Sequence, residues 1–161
     1  MIEQNLLDQI RNDFYMGPDH EYLLIDNANV DSFWNWIKEN SFVYTELSAP
    51  ENLSKAKFLA SRCIGNSQVA AIDNEIEYLE GFARRQDRFI FHGFNVAGEN
   101  VIDVTAINHP NNFEKFFGGV PNYYVGIKIP HEFLNEVNGE AIAENHININ
   151  PLLYRFYLQQ Q

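Results

Sequence analysis

The stretch "FIFHGFNVAGENVIDVTAINH", residues 89 to 109, constrains the fold more than any other part of the chain. Two β-rich apolar runs flank the Gly-containing turn "AGE", the pattern of a hairpin. Each run carries one polar side chain where a buried strand position ordinarily holds Val, Ile or Phe: His92 in the first, Asp103 in the second. The two stand about equally far from the turn. The spacing therefore predicts that they face each other on neighbouring strands, roughly 5 Å apart at Cβ. Burying such groups is costly unless they are paired, so the pair calls for a chemical reason.

That reason is supplied by Cys63, the single cysteine. The segment "CIGNSQVAAI" has a polar start followed by Val69, Ala70 and Ile72, and predicts a helix that begins at or near Cys63 and ends around "DNE". A helix start carries positive partial charge and free N–H donors, both of which favour a thiolate. An imidazole takes the thiol proton, and a buried carboxylate orients the imidazole. Cys63, His92 and Asp103 are thus the candidate nucleophile, base and orienting group. The backbone N–H of Cys63 is the default oxyanion donor. Side-chain donors are open among Asn52, Tyr44 and Gln68.

The rest of the chain supplies a framework. Ile2, Leu6, Ile10 and Phe14 recur every four residues and predict a first helix, stopped by "MGPDH". "EYLLIDN" reads as a strand or a turn of helix. Asp31 reads as the N-cap of the aromatic helix "SFWNWIKEN", with Trp34 and Trp36 as core anchors. "SFVYTEL", "IEYLEGFA" and "YYVGIKI" read as strands, and "RRQDR" as a charged turn. "SAPENLSKAKFLASR" has no clear assignment, and "HPNNFEKFFGGVPN" reads as a long, lid-like loop. "PHEFLNEVNG" predicts a helix ending at Gly139, and "NPLLYRFYLQQQ" a terminal helix. Helices segregated from an antiparallel sheet predict an α+β domain. One domain is expected over 1–161: a helical part to about residue 60, a core over about 61–130, and a helical part beyond.

The ordered set Cys63 to Ser67, "YLEGFA" (78–83), "HGFN" (92–95), "IDVT" (102–105) and "YYVGIKIP" (123–130) resembles the catalytic segment of the transglutaminase-like cysteine enzymes of the papain-like fold, most closely small bacterial and phage members. The resemblance covers about residues 60–130, under half the chain. It implies a papain-like core, with a catalytic helix packed on an antiparallel β-sheet, and a Cys63–His92–Asp103 triad. It also makes Asn66, Phe94 and Tyr124 the candidate substrate-binding residues. Two departures stand out: Gly93-Phe94 replaces the usual Ala-Trp after the histidine, and Thr105 follows a valine, not a proline.

Composition narrows the partners. The formal net charge of −11 disfavours nucleic acid and anionic membranes as ligands. A hydrophobic fraction of 45% supports a folded globule. With one cysteine no intrachain disulfide forms, the N-terminus lacks the basic and apolar blocks of a signal peptide, and no window approaches the roughly 18 apolar residues of a membrane span. A cytoplasmic location is the expectation, in the producing cell or after delivery into a host. His20, His109, His131 and His146 show no metal-ligand spacing, and "FFGGVP" lacks a phosphate-loop ending, so neither metal nor cofactor is expected. The expected activity is acyl transfer on a peptide, a protein or a small amide, hydrolytic (amidase, deamidase or protease) in preference to crosslinking. Two alternatives stay open: a non-catalytic binding or inhibitory module whose acidic surface meets a basic protein, and a nucleotide- or small-molecule-binding protein. Oligomeric state is not readable from the sequence.

Overall fold

The computed structural model describes residues 1–53, 58–144 and 149–161. In chain order the elements are α1 (Gln4–Met16), α2 (Val30–Asn40), β1 (Phe42–Tyr44), β2 (Glu46–Leu47), α3 (Cys63–Asn74), β3 (Glu77–Arg85), β4 (Arg88–Ala97), β5 (Asn100–Ile102), α4 (Val104–Asn108), α5 (Pro110–Phe117), β6 (Tyr123–Ile129), α6 (His131–Ala143) and α7 (Leu153–Gln159). The class is α+β, with a sheet ordered β1-β6-β3-β4-β5-β2. The sheet is mixed and not purely antiparallel: β2 runs parallel to β5, while the other four pairs are antiparallel.

The expected strand "SFVYTEL" is two strands at opposite edges of the sheet. Thr45 alone joins them, and one intervening residue spans at most about 7 Å. In a flat sheet, five strand spacings would hold them roughly 24 Å apart. The sheet is therefore curled until its edges nearly meet. The curl explains a cluster built from strand residues alone, Leu79, Ala83, Phe94, Val96, Val101 and Tyr124: the sheet folds over its own face there, while Phe113 of α5 packs on His92 at the end of the same face. The opposite face packs against α1, α2, α6 and α7 through Tyr78, Phe82, Phe91, Val125 and Ile127.

Local chemistry accounts for the helices. The stripe of α1 buries Leu7, Ile10 and Phe14, and Pro18 follows its end. Trp34 is buried and Trp36 partly so, but Asn29 is the N-cap position of α2 and Asp31 lies in its first turn, where its carboxylate receives Arg11 at 3.3 Å. "EYLLIDN" forms no strand; a 3-10 turn, Pro18–Glu21, leads into it. "HPNNFEKFFGGVPN" is not a loop. His109 turns the chain, Pro110 occupies the first helical position of α5, and Gly118, at φ 74°, ends it. The helix of "PHEFLNEVNG" continues past Gly139 to Ala143, because the buried Ile142 anchors one more turn. Of "SAPENLSKAKFLASR", the described part includes a 3-10 turn, Glu51–Leu53; residues 54–57 lie outside the described residues. Among the described residues no helix is long and apolar enough to cross a membrane.

A buried glutamate ties the C-terminus to the sheet. Glu80 of β3 accepts the backbone N–H groups of Leu152 at 2.6 Å and Leu153 at 2.7 Å, at the start of α7, and the Tyr78 hydroxyl as well. Burial raises its pKa to about 7, against the pull of these bonds and of Gln68. In Glu80→Gln the amide would turn a donor toward one of these donors, at a cost of about 1–3 kcal/mol. Thermal unfolding followed by circular dichroism should show Tm lowered by roughly 3–10 °C; an unchanged Tm would remove Glu80 as the anchor of α7.

Candidate active site

The site forms where β4 loses its neighbour. On β4, β5 reaches only Asn95, Val96 and Ala97, because the chain leaves the sheet after Ile102. From Phe94 back to Arg88 that side of β4 has no strand partner. Its outward N–H groups are taken by carboxylates instead: Phe89 donates to Asp13 Oδ2 at 2.9 Å and Phe91 to Asp19 Oδ2 at 3.0 Å. A cavity of about 420 Å³ opens across this edge. Ile90 and His92 line it from one face of β4 and Phe91 from the other, with Cys63, Ile64 and Gly65 from the start of α3 and Thr105, Asn112 and Phe113 from α4 and α5.

Cys63 is the first residue of α3. Arg62 at the N-cap position makes no side-chain cap, and the first backbone bond is Asn66 N–H to the Arg62 carbonyl at 2.8 Å. Among the described residues the N–H groups of Cys63, Ile64 and Gly65, at the cavity wall, have no backbone partner. Gly93 lets α3 lie this close to β4: a Cβ there would stand 2.7 Å from Ser67 Oγ and 3.1 Å from Ile64 Cα. The alanine usual after the histidine in the resembled pattern does not fit here without a shift of the helix.

His92 and Asp103 meet, but not by the expected geometry. Asp103 is not in a strand; it is the N-cap of α4, and its Oδ1 accepts the Ala106 N–H at 3.1 Å. The hairpin register sets Asn95 against Ile102, so His92 lies diagonal to Asp103 and the imidazole closes the gap. His92 Nε2 donates to Asp103 Oδ2 at 2.7 Å, both groups being buried. An ionised carboxylate only accepts, which fixes the ring proton on Nε2 and leaves Nδ1 outside this bond. Burial opposes a charge on His92, yet the Asp103 carboxylate and then Cys63 outweigh it and raise the imidazole pKa well above its ordinary range. Burial likewise works against ionised Asp103, but the positive charge and hydrogen bond of His92, with the Ala106 and Tyr124 bonds, hold its pKa below the usual carboxylate value.

The three candidate substrate-binding residues do other work. Tyr124 is buried and donates its hydroxyl to Asp103 Oδ2 at 2.8 Å, so it positions the carboxylate and does not reach the cavity. Phe94 is buried in the strand cluster, beside Tyr124 and stacked on His92 with ring centroids 6.5 Å apart. Asn66 is pinned to Leu59 through both backbone groups and donates to Thr105 Oγ1 at 2.9 Å, tying α3 to α4. Nor does the cavity take a donor from Asn52, Tyr44 or Gln68. Asn52 is exposed, Tyr44 packs at Phe94, and the Gln68 amide is spent on Tyr78 and the Asn150 carbonyl, both at 3.1 Å. His20, His109 and His131 each bond a backbone carbonyl; His146 lies outside the described residues. Asp19, Tyr22, Ser61, Arg62, Asn112 and Asn150 line the cavity without having been legible in the sequence, since each sits in a turn, an irregular segment or a helix end that carries no periodic signal.

The pair leaves a pH signature. The folded pKa of Asp103 is depressed, so its contribution is present above the unfolded value of about 3.9 and lost as pH falls through the folded one. The folded pKa of His92 is raised, so its contribution is full below about 6.5 and lost as pH rises toward the folded value. Urea unfolding of wild type and Asp103→Asn from pH 3 to pH 9 should therefore show a stability difference of about 3–5 kcal/mol between roughly pH 4 and 6.5. The difference should shrink on both sides; one that stays flat across the whole range would contradict a buried ion pair. No protein-family model, curated protein or solved structure matches this chain.

Proposed function

We propose that the protein is a thiol-dependent acyl-transfer enzyme that hydrolyses a carboxamide or peptide bond, working as the transglutaminase-like enzymes of the papain-like fold do. One observation carries the reading. The Nε2–Oδ2 bond of 2.7 Å between buried His92 and Asp103 leaves Nδ1 outside it, and His92 lines the same cavity as the only cysteine, which stands at the start of a helix with no side-chain cap.

The chemistry follows from these positions. The Cys63 thiol gives its proton to His92 Nδ1, and the thiolate attacks the substrate carbonyl carbon. The oxyanion that forms meets the free N–H groups at the start of α3, where the helix dipole adds to their attraction. The imidazolium, oriented by Asp103, donates its proton to the leaving nitrogen; the C–N bond breaks and a thioester remains. Water then attacks the thioester with His92 accepting its proton. The acid leaves, and the proton returns to sulfur. Tyr124 and the Ala106 N–H hold Asp103 in place through both steps without touching the reactants. Hydrolysis is favoured over transfer because a cavity open across a strand edge admits water.

Alkylation with iodoacetamide, read by intact mass, tests the reading, since there is a single cysteine to label. Wild type should react at pH 5.5 at a rate comparable to that at pH 7.5. His92→Ala should instead follow an ordinary thiol, rising toward about pH 8.5. A wild-type profile that already matches an ordinary thiol would sink the triad and leave a non-catalytic binding module.

A further inference from the structure

The cavity wall also carries a carboxylate that the reaction does not use. Asp19 lies in the 3-10 turn Pro18–Glu21, half-buried, and lines the same cavity as Cys63 and His92. Its Oδ2 caps the Phe91 N–H. Asp13 does the same for Phe89, two residues along the same edge, yet stands outside the cavity. Capping needs one acceptor atom and accounts for Asp13; it leaves Asp19 Oδ1, which receives no hydrogen bond from the described residues. Burial raises the Asp19 pKa, while the Phe91 N–H and the charges of Arg88, His92 and Arg85 favour the ionised form. The same lining includes the apolar side chains of Ile90, Phe91, Phe113, Ile149 and Pro151. Of the other charged lining groups, His92 is committed to Asp103 and Arg62 is exposed.

We propose that Asp19 is the specificity determinant of the cavity, and that the substrate carries an aliphatic cation, a lysine- or arginine-like side chain or a free amine, beside the bond that Cys63 attacks. The inference rests on Cys63 being the reacting group. An alkyl stem lies against the apolar wall while its charged end meets Asp19 Oδ1, a charge-assisted bond in a partly desolvated site. The net charge of −11 concentrates cations around the molecule and works in the same direction.

Charged thiol reagents of similar size read this directly. With a methanethiosulfonate the Cys63 thiolate attacks the thioalkyl sulfur, a mixed disulfide forms, methanesulfinate leaves and the thiol proton goes to solvent. The cationic aminoethyl and anionic sulfonatoethyl reagents are compared on wild type, Asp19→Asn and Asp13→Asn. Asn retains an acceptor for the backbone N–H in both variants. Wild type should favour the cation, Asp19→Asn should lower the cation-to-anion rate ratio about tenfold, and Asp13→Asn should leave it within about twofold. An unchanged ratio in Asp19→Asn, an equal fall in Asp13→Asn, or a wild-type preference for the anion would overturn the proposal. Wild type alone gives a second reading: butylammonium should slow iodoacetamide labelling and butyrate should not, and equal protection by both would overturn it. The neutral reagent's pH profile reads the Cys63–His92 pair separately. An ordinary thiol profile with an Asp19-dependent ratio would remove the enzyme and keep the cation subsite; a reactive profile with an Asp19-independent ratio would do the reverse.

Discussion

A carboxylate buried away from water must have its lone pairs filled by donors, and the site is organised around how Asp103 meets that demand. Its Oδ1 takes the Ala106 N–H and so starts α4; its Oδ2 takes His92 from β4 and Tyr124 from β6. Three elements are thereby fixed to one carboxylate. The strand that delivers Asp103 ends because the residue becomes a helix cap. The ending of β5 uncovers the edge of β4, and the cavity forms along that edge. Capping, pairing and cavity are consequences of one ionised group being satisfied.

The uncovered edge is otherwise a liability, a row of free backbone groups open to pairing with another chain. Asp13 and Asp19 answer it differently. The first closes the edge over the aromatic core, where Phe14 and Phe82 pack with ring centroids 6.0 Å apart. The second closes it beside Cys63, where one carboxylate oxygen stays open to a ligand. The same local device thus serves stability at one point and, on our reading, recognition two residues further along the strand.

Two close approaches set how precisely the parts can meet. Gly93 brings α3 onto β4, and the single-residue link at Thr45 forces the sheet to curl. The curl encloses Tyr124 and Phe94, and Phe113 of α5 packs edge-on against His92, which dries the pair and strengthens the attraction between its charges. Glu80, on the other face of β3, holds α7 against the back of the sheet. The two buried carboxylates act on opposite faces, Asp103 beside the reactive group and Glu80 in the frame behind it.

The sequence by itself determined what depends on local pattern. The helical stripe of α1, the aromatic face of α2, the strands β3, β4 and β6, and a helix beginning at Cys63 follow from periodicity and residue type. It also singled out His92 and Asp103, because a polar side chain in an apolar run is conspicuous. Only the tertiary structure decided the rest. "SFVYTEL" has the pattern of one strand, and only the closure of the sheet splits it between two edges. Phe94 and Tyr124 read as cavity residues, but which face of a curled sheet a residue looks toward depends on register, and that face is sealed. Asp19 lies beside a helix-stopping proline and is indistinguishable in sequence from Asp13; its place in the cavity depends on where β5 stops, a long-range fact that no neighbour in the chain encodes.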